Sequence, residues 1–546
     1  MIFPFLGRTG PIRMWYTCEK GEKIYYYDFT SLYPTVNYYT TYPLGHPKRE
    51  FHNKDVNWKS AKDIRKAFSR LRNTPKGSFF EMPTMLFKCF VVAGEKTNGT
   101  LIPALPAKFD EENGRLLFPL CMPCALSYDH KEDEDEDDFE ALIRKAKRHN
   151  IKKDNYQCKH TDQERGWVGT YTHLELMQAL DRGYEVKKLL WTWTWEKSSN
   201  NLFKDYVRTF YKIKTEASWN ENKPIEERDA LIKLYKEKYD IDLDPAKMKK
   251  NPGMRYISKL CLNSMWGRWS LRNNLTQTEI TRDPAMVSRL LNDDRLEITN
   301  VRIVPTRDDE EIEETARDLY GDDDESDSEV PVKRNRLIDG EARESNEHEE
   351  EEVRTEIVRI KGRPVHVTIC NKLQTYVIDY RKKKPFIKEH DTSSVGMSLF
   401  TTAAARVRLF EAMAKVEDSG CKLLYTDTDS LIFAVPEGKE NPLKTGKLLG
   451  ELTDEYPDEE IVEYYSPGPK QYMLILQDKK GNRRHIMKIR GLTLDEHTEK
   501  NITPDFFKNA AMNAGVRDEN GDLKETRKTC TYHRIRPDWL GEISSK

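Results

Sequence analysis

Cysteine is scarce in this sequence, with nine residues among 546, and the nine are unevenly spaced. A chain this long with so few cysteines is not a disulfide scaffold, so we expect a reducing compartment. Long apolar runs are also lacking, because no stretch approaches the roughly 20 residues that cross a bilayer. The N-terminus MIFPFLGRTG lacks the regions of a signal peptide. These absences predict a soluble intracellular protein, nuclear or cytoplasmic, with no membrane partner.

The chain as a whole is nearly neutral, but the part of it outside two acidic blocks carries an excess of positive charge. The sequence holds 90 Lys and Arg against 92 Asp and Glu. Two acidic blocks distort that balance: residues 308–352 hold 21 acids and 5 bases, and residues 131–138 hold 7 acids and 1 base. Outside them 84 bases face 64 acids, an excess of 20 positive charges. A body this basic favours a polyanionic partner such as nucleic acid.

The acidic blocks are typical of insertions into a larger folded body. Residues 305–355 have few large apolar side chains and a high net charge, which predicts a disordered insertion. Residues 129–138 predict an acidic loop tip on a smaller scale. The total length predicts several domains or subdomains around these insertions.

Between the insertions, apolar periodicity predicts regular elements. Residues 203–219 and about 225–239 have helical spacing, a further helix begins at residues 251–253, and residues 396–418 form a strong amphipathic helix. The run LLWTWTW at 189–195 alternates with period two and predicts a strand. Its tryptophans could stack on bases, but a packed strand face is the favoured interpretation.

Three aspartates stand at the ends of apolar runs. Asp28 follows IYYY, while Asp427 and Asp429 lie within LLYTDTDSLIF, which predicts a strand, a tight turn and a strand. If that turn stays extended, Asp427 and Asp429 point to the same face. Their repulsion would be relieved by a divalent cation, and oxygen ligands suit Mg²⁺ or Mn²⁺. An ordinary Asp/Thr-rich hairpin is the alternative. Adding Asp28 from a neighbouring strand favours a two-metal site for phosphoryl transfer.

A basic helix carries the complementary charge. Arg255, Lys259, Asn263 and Trp266 follow i, i+4, i+8, i+11 spacing and therefore share one face. Two cations, an amide and an aromatic ring on one stripe suit a nucleoside triphosphate, because the cations would stabilise charge on the leaving pyrophosphate. A solvated helix face with scattered bases is the alternative.

A possible zinc set is formed by four residues around the smaller acidic block. Cys121 and Cys124 have the spacing C-x₂-C, and Cys158 and His160 follow as C-x-H. These four ligands match the requirements of a structural Zn²⁺ site. The alternative is a group of unrelated buried thiols.

Three of these motifs, in chain order, resemble a known family. DFTSLYP, KLCLNSMWG and YTDTDS are similar to motifs A, B and C of family B DNA polymerases. Lys470-Gln471-Tyr472 resembles the Lys-x-Tyr motif of the protein-primed branch of that family. The contexts RTGPIRMWY, YPLGHP and NPGMRYISKLCLNSMWG resemble polymerases of linear plasmids, adeno-like viruses and Maverick-type transposons. The resemblance runs through most of the chain outside the acidic insertions.

The resemblance implies a role for each matching residue. Asp28 and Asp429 would be direct ligands of two Mg²⁺ ions, with the Phe29 carbonyl assisting, and Asp427 would be a third catalytic carboxylate that supports them. The implied nucleotide-binding residues are Tyr33 as a steric gate against ribose, Leu32, the triphosphate clamp of Arg255 and Lys259, Asn263, and Trp266 in place of the family's usual tyrosine. The implied primer-binding residues are Lys470, Tyr472 and Thr428.

The resemblance also implies an α+β fold of the right-hand polymerase type. The expected division is a junction segment at 1–23, palm at 24–45 and 391–468, an insertion at 46–202, fingers at 203–270, palm with a second insertion at 271–390, and a primer grip with thumb at 469–546. Basic segments at 479–480, 483–484 and 488–490 would contact DNA phosphates.

The expected activity is template-directed DNA synthesis, with primer-template DNA and dNTPs as partners. The sequence leaves two sources of the first hydroxyl open, a terminal priming protein or an ordinary primer. Only 27 residues precede Asp28, and LGRT at 6–9 resembles the linker between exonuclease and polymerase domains. We therefore expect no 3′–5′ exonuclease activity from this chain. The alternatives are a metal-dependent nuclease, which would not need the clamp or the gate, and a catalytically silent DNA-binding replication factor, which should have lost an aspartate.

Overall fold

The computed structural model describes residues 7–68, 83–97, 100–108, 116–129, 160–270, 274–304, 354–360, 363–369, 375–388, 393–489, 502–512, 535–537 and 543–545. The chain divides into two compact units. The first comprises Met1–Ser270 and Thr392–Lys546, and the second comprises Leu271–Asp391.

The described strands are, in chain order, β1 (Thr9–Pro11), β2 (Trp15–Thr17), β3 (Lys23–Phe29), β4 (Tyr42–Leu44), β5 (Lys48–Trp58), β6 (Thr84–Ala93), β7 (Ala107–Lys108), β8 (Leu116–Leu117), β9 (Trp167–Thr172), β10 (Tyr184–Trp195), β11 (Lys197–Ser199), β12 (Gln277–Thr281), β13 (Leu296–Val304), β14 (Arg354–Ile360), β15 (Arg363–Ile369), β16 (Thr375–Lys382), β17 (Lys422–Asp427), β18 (Ser430–Val435), β19 (Leu452–Asp454), β20 (Glu460–Gly468), β21 (Gln471–Gln477), β22 (Arg483–Ile489), β23 (Ile535–Pro537) and β24 (Ile543–Ser545).

The described α-helices are α1 (Leu32–Tyr39), α2 (Ala61–Phe68), α3 (Met122–Asp129), α4 (Asp162–Arg165), α5 (His173–Asp181), α6 (Lys204–Glu216), α7 (Ile225–Tyr239), α8 (Pro252–Arg268), α9 (Pro284–Asn292), α10 (Val395–Asp418) and α11 (Pro504–Met512). Short 3₁₀ helices occupy Glu95–Thr97 and Lys384–Phe386. This mixture of helices and strands confirms the predicted α+β class.

A nine-stranded antiparallel sheet forms the centre of the first unit. Its main path runs β1-β17-β18-β3-β20-β21-β22, with β19 paired to β3 and β2 paired to β20. Strand β3 therefore lies beside β18, although the two are separated by about 400 residues of sequence. This long-range pairing is what brings the aspartate motifs to one place.

Strand β3 is buried on both faces, which explains its aromatic composition. Because successive side chains alternate, Tyr27 and Phe29 enter the core beneath α10, while Ile24 and Tyr26 enter a second core on the opposite face. By the same alternation, Asp28 lies on the face of β3 that carries Ile24 and Tyr26. A run of apolar and tyrosyl side chains is the pattern expected for a strand covered on both sides.

Helix α10 covers the first face of this sheet. Ser394 caps its N-terminus by accepting a hydrogen bond from the Met397 amide at 3.5 Å. Its alanines at 403–405 are buried, which allows close approach to the sheet. Gly420, with φ of 70°, ends the helix in the left-handed conformation and leads directly into β17.

A separate four-stranded sheet has the order β5-β10-β6-β9. Trp195 of β10 is 5% exposed and packs with Tyr42 and Phe400, and Trp191 and Trp193 lie against the same cluster. The guanidinium of Arg49 lies 4.3 Å from the centre of the Trp193 ring. These contacts support the packed strand face over the base-stacking interpretation.

Helices α6, α7 and α8 share one apolar core. Tyr211, Tyr235 and Tyr239 pack together there with Leu262. The Asn251 side chain caps α8 by accepting a hydrogen bond from Met254 at 3.1 Å, and its own amide donates to the Ala217 carbonyl at 2.9 Å. This link fixes the start of α8 against the end of α6, and it confirms the helices that the periodicity predicted.

The second unit contains its own small sheet, β12-β16-β13, and a hairpin of β14 and β15. The predicted disordered insertion at 305–355 lies outside the described residues, except that positions 354 and 355 belong to β14. Residues 130–138 of the predicted acidic loop also lie outside the described part, and Asp129 ends α3.

Candidate active site

The candidate site lies where β3 and β18 end side by side. Asp28 is paired in register with Ser430, the residue after Asp429. The Phe29 amide donates a hydrogen bond to the Asp429 carbonyl at 2.7 Å. These backbone contacts place Asp28 and Asp429 at the same edge, as the sequence predicted for two carboxylates from distant motifs.

A tight turn joins β17 to β18. Asp427 pairs with Ser430, so Thr428 and Asp429 form the two-residue loop. Thr428 has a φ of 60°, which is costly for a β-branched residue, and its amide donates to the Arg8 carbonyl at 2.7 Å. The extended geometry considered for Asp427 and Asp429 is therefore wrong, because the left-handed residue between them reverses the chain.

Asp427 is paired with a lysine. The Lys470 ammonium forms an ion pair with the Asp427 carboxylate and lies 3.4 Å from the Thr428 hydroxyl. Lys470 occupies the turn between β20 and β21 with φ of 63°, where its amide donates to the Tyr425 hydroxyl at 2.8 Å. The Lys-x-Tyr element thus reaches the aspartate turn through a direct side-chain contact.

The other two carboxyls lie in an environment that disfavours their charge. Burial raises the pKa of Asp28 to about 7, and the carboxyl of Asp429 adds to the rise. Burial and the neighbouring Asp427 raise the pKa of Asp429 to about 6. The ammonium of Lys259 opposes both shifts. Two carboxyls that resist ionisation together are suited to a cation, which would remove the repulsion between them.

The donor set at this edge fits Mg²⁺ or Mn²⁺. Asp28 and Asp429 offer carboxylate oxygens, and Phe29 follows Asp28 at the end of β3. Hard divalent ions of this kind take oxygen ligands. Within the described ranges, Asp427 does not join these two in a three-ligand cluster, since the group that meets that geometry consists of cysteines and a histidine.

Helix α8 presents its cationic stripe toward these carboxyls. Arg255, Lys259 and Asn263 are exposed, whereas Ser258 and Leu262 of the same helix are buried. Trp266, on the same stripe, stacks on Tyr33 of α1, which places that end of the stripe beside the segment that follows Asp28. The ammonium of Lys259 also opposes the rise in the pKa of Asp28. The geometry favours the anion-binding interpretation of this helix.

Lys214 of α6 is a site residue that sequence reasoning missed. Its ammonium donates a hydrogen bond to the Ser31 hydroxyl at 2.8 Å. Burial, together with the charges of Lys259 and Arg255, lowers its pKa to about 8, while Asp28 opposes the shift. The sequence pattern did not single out Lys214, because it lies in a helix rich in charged residues. A half-buried lysine beside two other cations signals a place for a polyanion.

Tyr33 and Trp266 stack on each other. Their ring centres are 4.3 Å apart and the rings are inclined by 15°. Burial raises the pKa of Tyr33 to about 12, so the phenol remains neutral. Leu32 is 1% exposed, with its side chain in the core beneath α10, which leaves only its backbone available to a ligand.

The predicted primer-binding residues differ in exposure. Tyr472 is 4% exposed, and its hydroxyl lies 3.0 Å from that of Tyr26. The Lys488 ammonium lies 5.7 Å from the centre of the Tyr472 ring. Tyr472 is therefore a core residue beneath the turn that holds Lys470, and its contact with any primer would be indirect.

The basic segments near β22 are partly neutralised. Arg484 pairs with Glu459 at 2.5 Å, and Arg483 lies 3.5 Å from Glu463. The exposed Lys479 and Lys480 occupy the turn before β22. Arg490 lies outside the described residues. These pairings leave fewer cations available for DNA phosphates than the sequence predicted.

The predicted zinc ligands are brought together as far as the structure describes them. The Nδ1 atom of His160 lies 3.4 Å from the Cys121 sulfur and 3.5 Å from the Cys124 sulfur. Cys158, the fourth predicted ligand, lies outside the described residues.

One family model matches part of the chain. Residues 143–235 match the model of the family described as DNA polymerase type B, organellar and viral. The matched stretch lies between the Asp28 strand and α8, so it is independent of the three motifs. The match confirms the resemblance to family B DNA polymerases that those motifs indicated.

Solved structures of Phi29 DNA polymerase are similar to this chain. The orthorhombic crystal form is 14% identical, with a TM-score of 0.44, over 92% of this chain and 56% of that chain. The ternary complex with primer-template DNA and incoming nucleotide substrates is 12% identical, with a TM-score of 0.41, over 99% of this chain and 60% of that chain. This chain therefore spans 56–60% of the length of these polymerases. No curated protein matches the sequence.

A helix that crosses a bilayer must be both long and apolar. Among the residues that the structure describes, none forms a helix that is both long and apolar enough to span a membrane.

Proposed function

We propose that this chain is a template-directed DNA polymerase that adds dNMPs from dNTPs to a primer 3′-hydroxyl. One observation carries the proposal: the register of β3 and β18 brings Asp28 and Asp429 to the same edge of the sheet. Burial raises the pKa of both carboxyls there, and the ammonium of Lys259 on α8 opposes the rise. Carboxylates that can hold divalent ions, opposed by cations that can hold phosphates, are the requirements of nucleotidyl transfer. The family match supports the same class of activity.

In this proposal Asp28, Asp429 and the Phe29 carbonyl hold a pair of Mg²⁺ ions, with Mn²⁺ as a substitute. The ions would stabilise charge on the attacking and leaving oxygens of the transfer. Asp427 acts differently, because its carboxylate already has Lys470 as a partner. It fixes the turn that carries Asp429. Zn²⁺ takes no part in this transfer.

The triphosphate is bound by three cations from two helices. Lys259 and Arg255 come from α8, and Lys214 comes from α6. Charge-assisted hydrogen bonds from such groups stabilise the phosphates and the departing pyrophosphate. Asn263, one turn beyond Lys259, lies further along the same exposed face and helps to enclose the nascent base pair.

Tyr33 selects the sugar. Its ring is held by Trp266 and by burial at the start of α1. An incoming nucleotide that enters beside this stacked pair meets the Tyr33 ring beneath its ribose, which leaves no room for a 2′-hydroxyl. Trp266 keeps the aromatic face of the family's tyrosine without its hydroxyl.

The DNA partner is a primer-template. The central sheet serves as the palm, α6 to α8 as fingers, and the region after Lys470 as primer grip and thumb. Lys470 and Thr428 lie at the turn beside the proposed metal ligands, where a primer terminus would end. The basic body of the chain supplies non-specific attraction to phosphates. We place the reaction in protein-primed replication of a virus, plasmid or transposon, with a terminal protein supplying the first hydroxyl.

Primer extension tests this function. The full chain is incubated with a primer-template, dNTPs and Mg²⁺, with and without a candidate terminal protein. Asp429→Ala should lower incorporation by at least about 10³-fold, because removing a ligand abolishes metal-dependent charge stabilisation. Asp458→Ala is the matched control, since Asp458 is an exposed aspartate in the loop between β19 and β20. Incorporation unaffected by Asp429→Ala would refute the assignment, and primer degradation without synthesis would favour a nuclease.

A further inference from the structure

A cluster of two cysteines and a histidine lies where two short helices begin. Cys121 immediately precedes α3, and its carbonyl accepts a hydrogen bond from the Ala125 amide at 3.1 Å. Cys124 follows within the first turn of that helix. His160 precedes Thr161, which caps α4 in a reciprocal arrangement with Glu164. Local helix geometry therefore fixes the backbone on both sides of the cluster.

The distances in this cluster match those of a tetrahedral metal centre. Bond lengths of about 2.3 Å for zinc–sulfur and about 2.05 Å for zinc–nitrogen give a sulfur-to-nitrogen edge of about 3.6 Å. The observed separations from His160 Nδ1 to the Cys121 and Cys124 sulfurs are 3.4 and 3.5 Å. All three ligand atoms lie within 4.8 Å of one another. Each contact alone is within reach of a sulfur–nitrogen hydrogen bond, and both together have the spacing of ligands around one ion.

The cluster lies at the edge of a core, with Cys121 buried and with Cys124 and His160 partly exposed. Cys121 is 4% exposed. Leu120 and Met122, which flank it, pack against the core of the four-stranded sheet. The Arg165 guanidinium donates to the Leu120 carbonyl at 3.3 Å and joins α4 to the segment before α3. Thiolates and an imidazole suit Zn²⁺ better than Mg²⁺ or Ca²⁺, which prefer oxygen.

We propose that Cys121, Cys124 and His160 supply three ligands of a structural Zn²⁺ ion that ties α3 to α4. The ion would close a span of 36 residues between Cys124 and His160, a span that includes the acidic block at 131–138. Closing such a loop costs chain entropy, which the free energy of metal binding offsets. The site therefore holds the acidic segment at both ends without requiring that segment to fold. This role is independent of the polymerase assignment.

Metal content tests the proposal directly. The full chain, purified under reducing conditions, is reloaded with Zn²⁺, desalted and measured by plasma mass spectrometry. We expect about one zinc ion per chain, retained through desalting. Cys121→Ser and His160→Ala should each reduce the retained zinc to background. Cys18→Ser is the matched control, because it makes the same chemical change at a partly buried cysteine outside the cluster. Asp429→Ala should also retain zinc.

Cobalt substitution gives a readout that does not depend on the variants folding. Wild-type chain stripped with a chelator and loaded with Co²⁺ should show thiolate-to-cobalt charge-transfer absorbance and the intense visible bands of tetrahedral Co²⁺. Zinc should abolish both when added. The wild-type chain should also unfold at a lower temperature after chelation and recover when zinc is restored.

Three results would overturn the proposal. Wild-type chain that holds no zinc after reloading, and shows no cobalt charge transfer, has no such site. Equal zinc retention in wild type, Cys121→Ser and His160→Ala would place the ion elsewhere. A Cys121–Cys124 disulfide that persists under the reducing conditions would make the pair a structural disulfide and leave no thiolates for the ion.

Discussion

Lys214 illustrates how a single side chain can be set by an environment that the sequence does not reveal. Its ammonium is half-buried beside Lys259 and Arg255, so its charge is opposed by burial and by two like charges. Such a lysine lowers the stability of the empty protein and becomes favourable when a polyanion enters. The same logic applies with opposite sign to Asp28, whose charge becomes favourable when a cation enters.

Lys214→Met should weaken nucleotide binding. A charge-assisted hydrogen bond contributes about 1.5–3 kcal/mol, so KM for dNTPs should rise by about 10- to 100-fold, with kcat changed less. Steady-state incorporation on a fixed primer-template measures both constants. Lys204→Met on the same helix is the control, since its ammonium lies over the Tyr38 ring and not beside Ser31. An unchanged KM in Lys214→Met would remove Lys214 from the site.

The pH dependence of kcat/KM should have two limbs set by these groups. The pKa values of Asp28 and Asp429 are raised to about 7 and about 6, so lowering the pH through this range protonates them and displaces metal ions. The pKa of Lys214 is lowered to about 8, so raising the pH above this value removes a phosphate-binding charge. Activity should therefore peak between the limbs.

Two experimental changes distinguish the acid limb of this pH profile from its alkaline limb. A higher Mg²⁺ concentration should move the acid limb to lower pH, because metal ions compete with protons for the same oxygens. Lys214→Arg should remove the alkaline limb, since a guanidinium stays charged throughout this range. An alkaline limb that persists in Lys214→Arg would have to come from another group.

Tyr33→Val should reduce the discrimination against rNTPs. Removing the ring opens the space beneath the sugar, so the ratio of kcat/KM for dNTP over rNTP should fall by at least about tenfold. Trp266→Tyr is the matched variant, because it retains a ring that can stack on Tyr33 while the gate remains. Competing dATP and rATP incorporation measures the ratio. If Tyr33→Val keeps wild-type sugar selectivity, the gate lies elsewhere.

At the scale of elements, helix α8 depends on its first turn. The Asn251 side chain satisfies the Met254 amide, and its backbone joins α8 to the end of α6. The helix carries few buried side chains of its own, since Ser258 and Leu262 are its buried residues. Its cap therefore contributes strongly to where Arg255 and Lys259 lie.

Asn251→Ala should loosen this helix. Loss of an N-cap costs about 0.5–2 kcal/mol, so amide hydrogen exchange should accelerate in the first turns of α8. KM for dNTPs should rise because the cations are less well positioned. Asn251→Asp should restore both properties, as aspartate caps equally well. Faster exchange in Asn251→Asp as well would show that the amide group matters for a reason other than capping.

At the scale of the whole molecule, charge is separated along the sequence. The acidic blocks at 131–138 and 308–352 offset a body with 20 excess positive charges. A basic body attracts DNA through counterion release, whereas acidic segments of the same chain repel it. The near-zero net charge of the chain therefore conceals an electrostatic balance between its parts.

Neutralising the larger block should strengthen DNA binding. Replacing the Asp and Glu residues of 308–352 by Asn and Gln keeps the length and removes 21 negative charges. Affinity for duplex DNA should rise at low salt and converge with wild type at high salt, because screening suppresses both attraction and repulsion. Fluorescence anisotropy over a salt series measures this. Deletion of 308–352 is the companion variant, and a gain from deletion alone would indicate steric exclusion instead of charge.

Local sequence patterns were sufficient to predict the helices and strands named here and the residue types of the candidate site. The apolar run before Asp28 and the two runs around Thr428 predict their strands, and helical spacing predicts α6, α7, α8 and α10, because these patterns depend on periods of two or 3.6 residues. The same patterns made the candidate site residues recognisable, because the aspartates stand at the ends of predicted strands and the bases of α8 share one face of a predicted helix.

Only the tertiary structure decided which of these groups meet. The pairing of Asp427 with Lys470, the approach of Lys214 to Ser31 and the stacking of Trp266 on Tyr33 all join residues far apart in the chain. Strand register and helix packing set these contacts, and neither is encoded in a local period. The sequence by itself therefore determined which residue types this protein places at its candidate site, while long-range packing decided which carboxylate has a lysine partner and which two have raised pKa values.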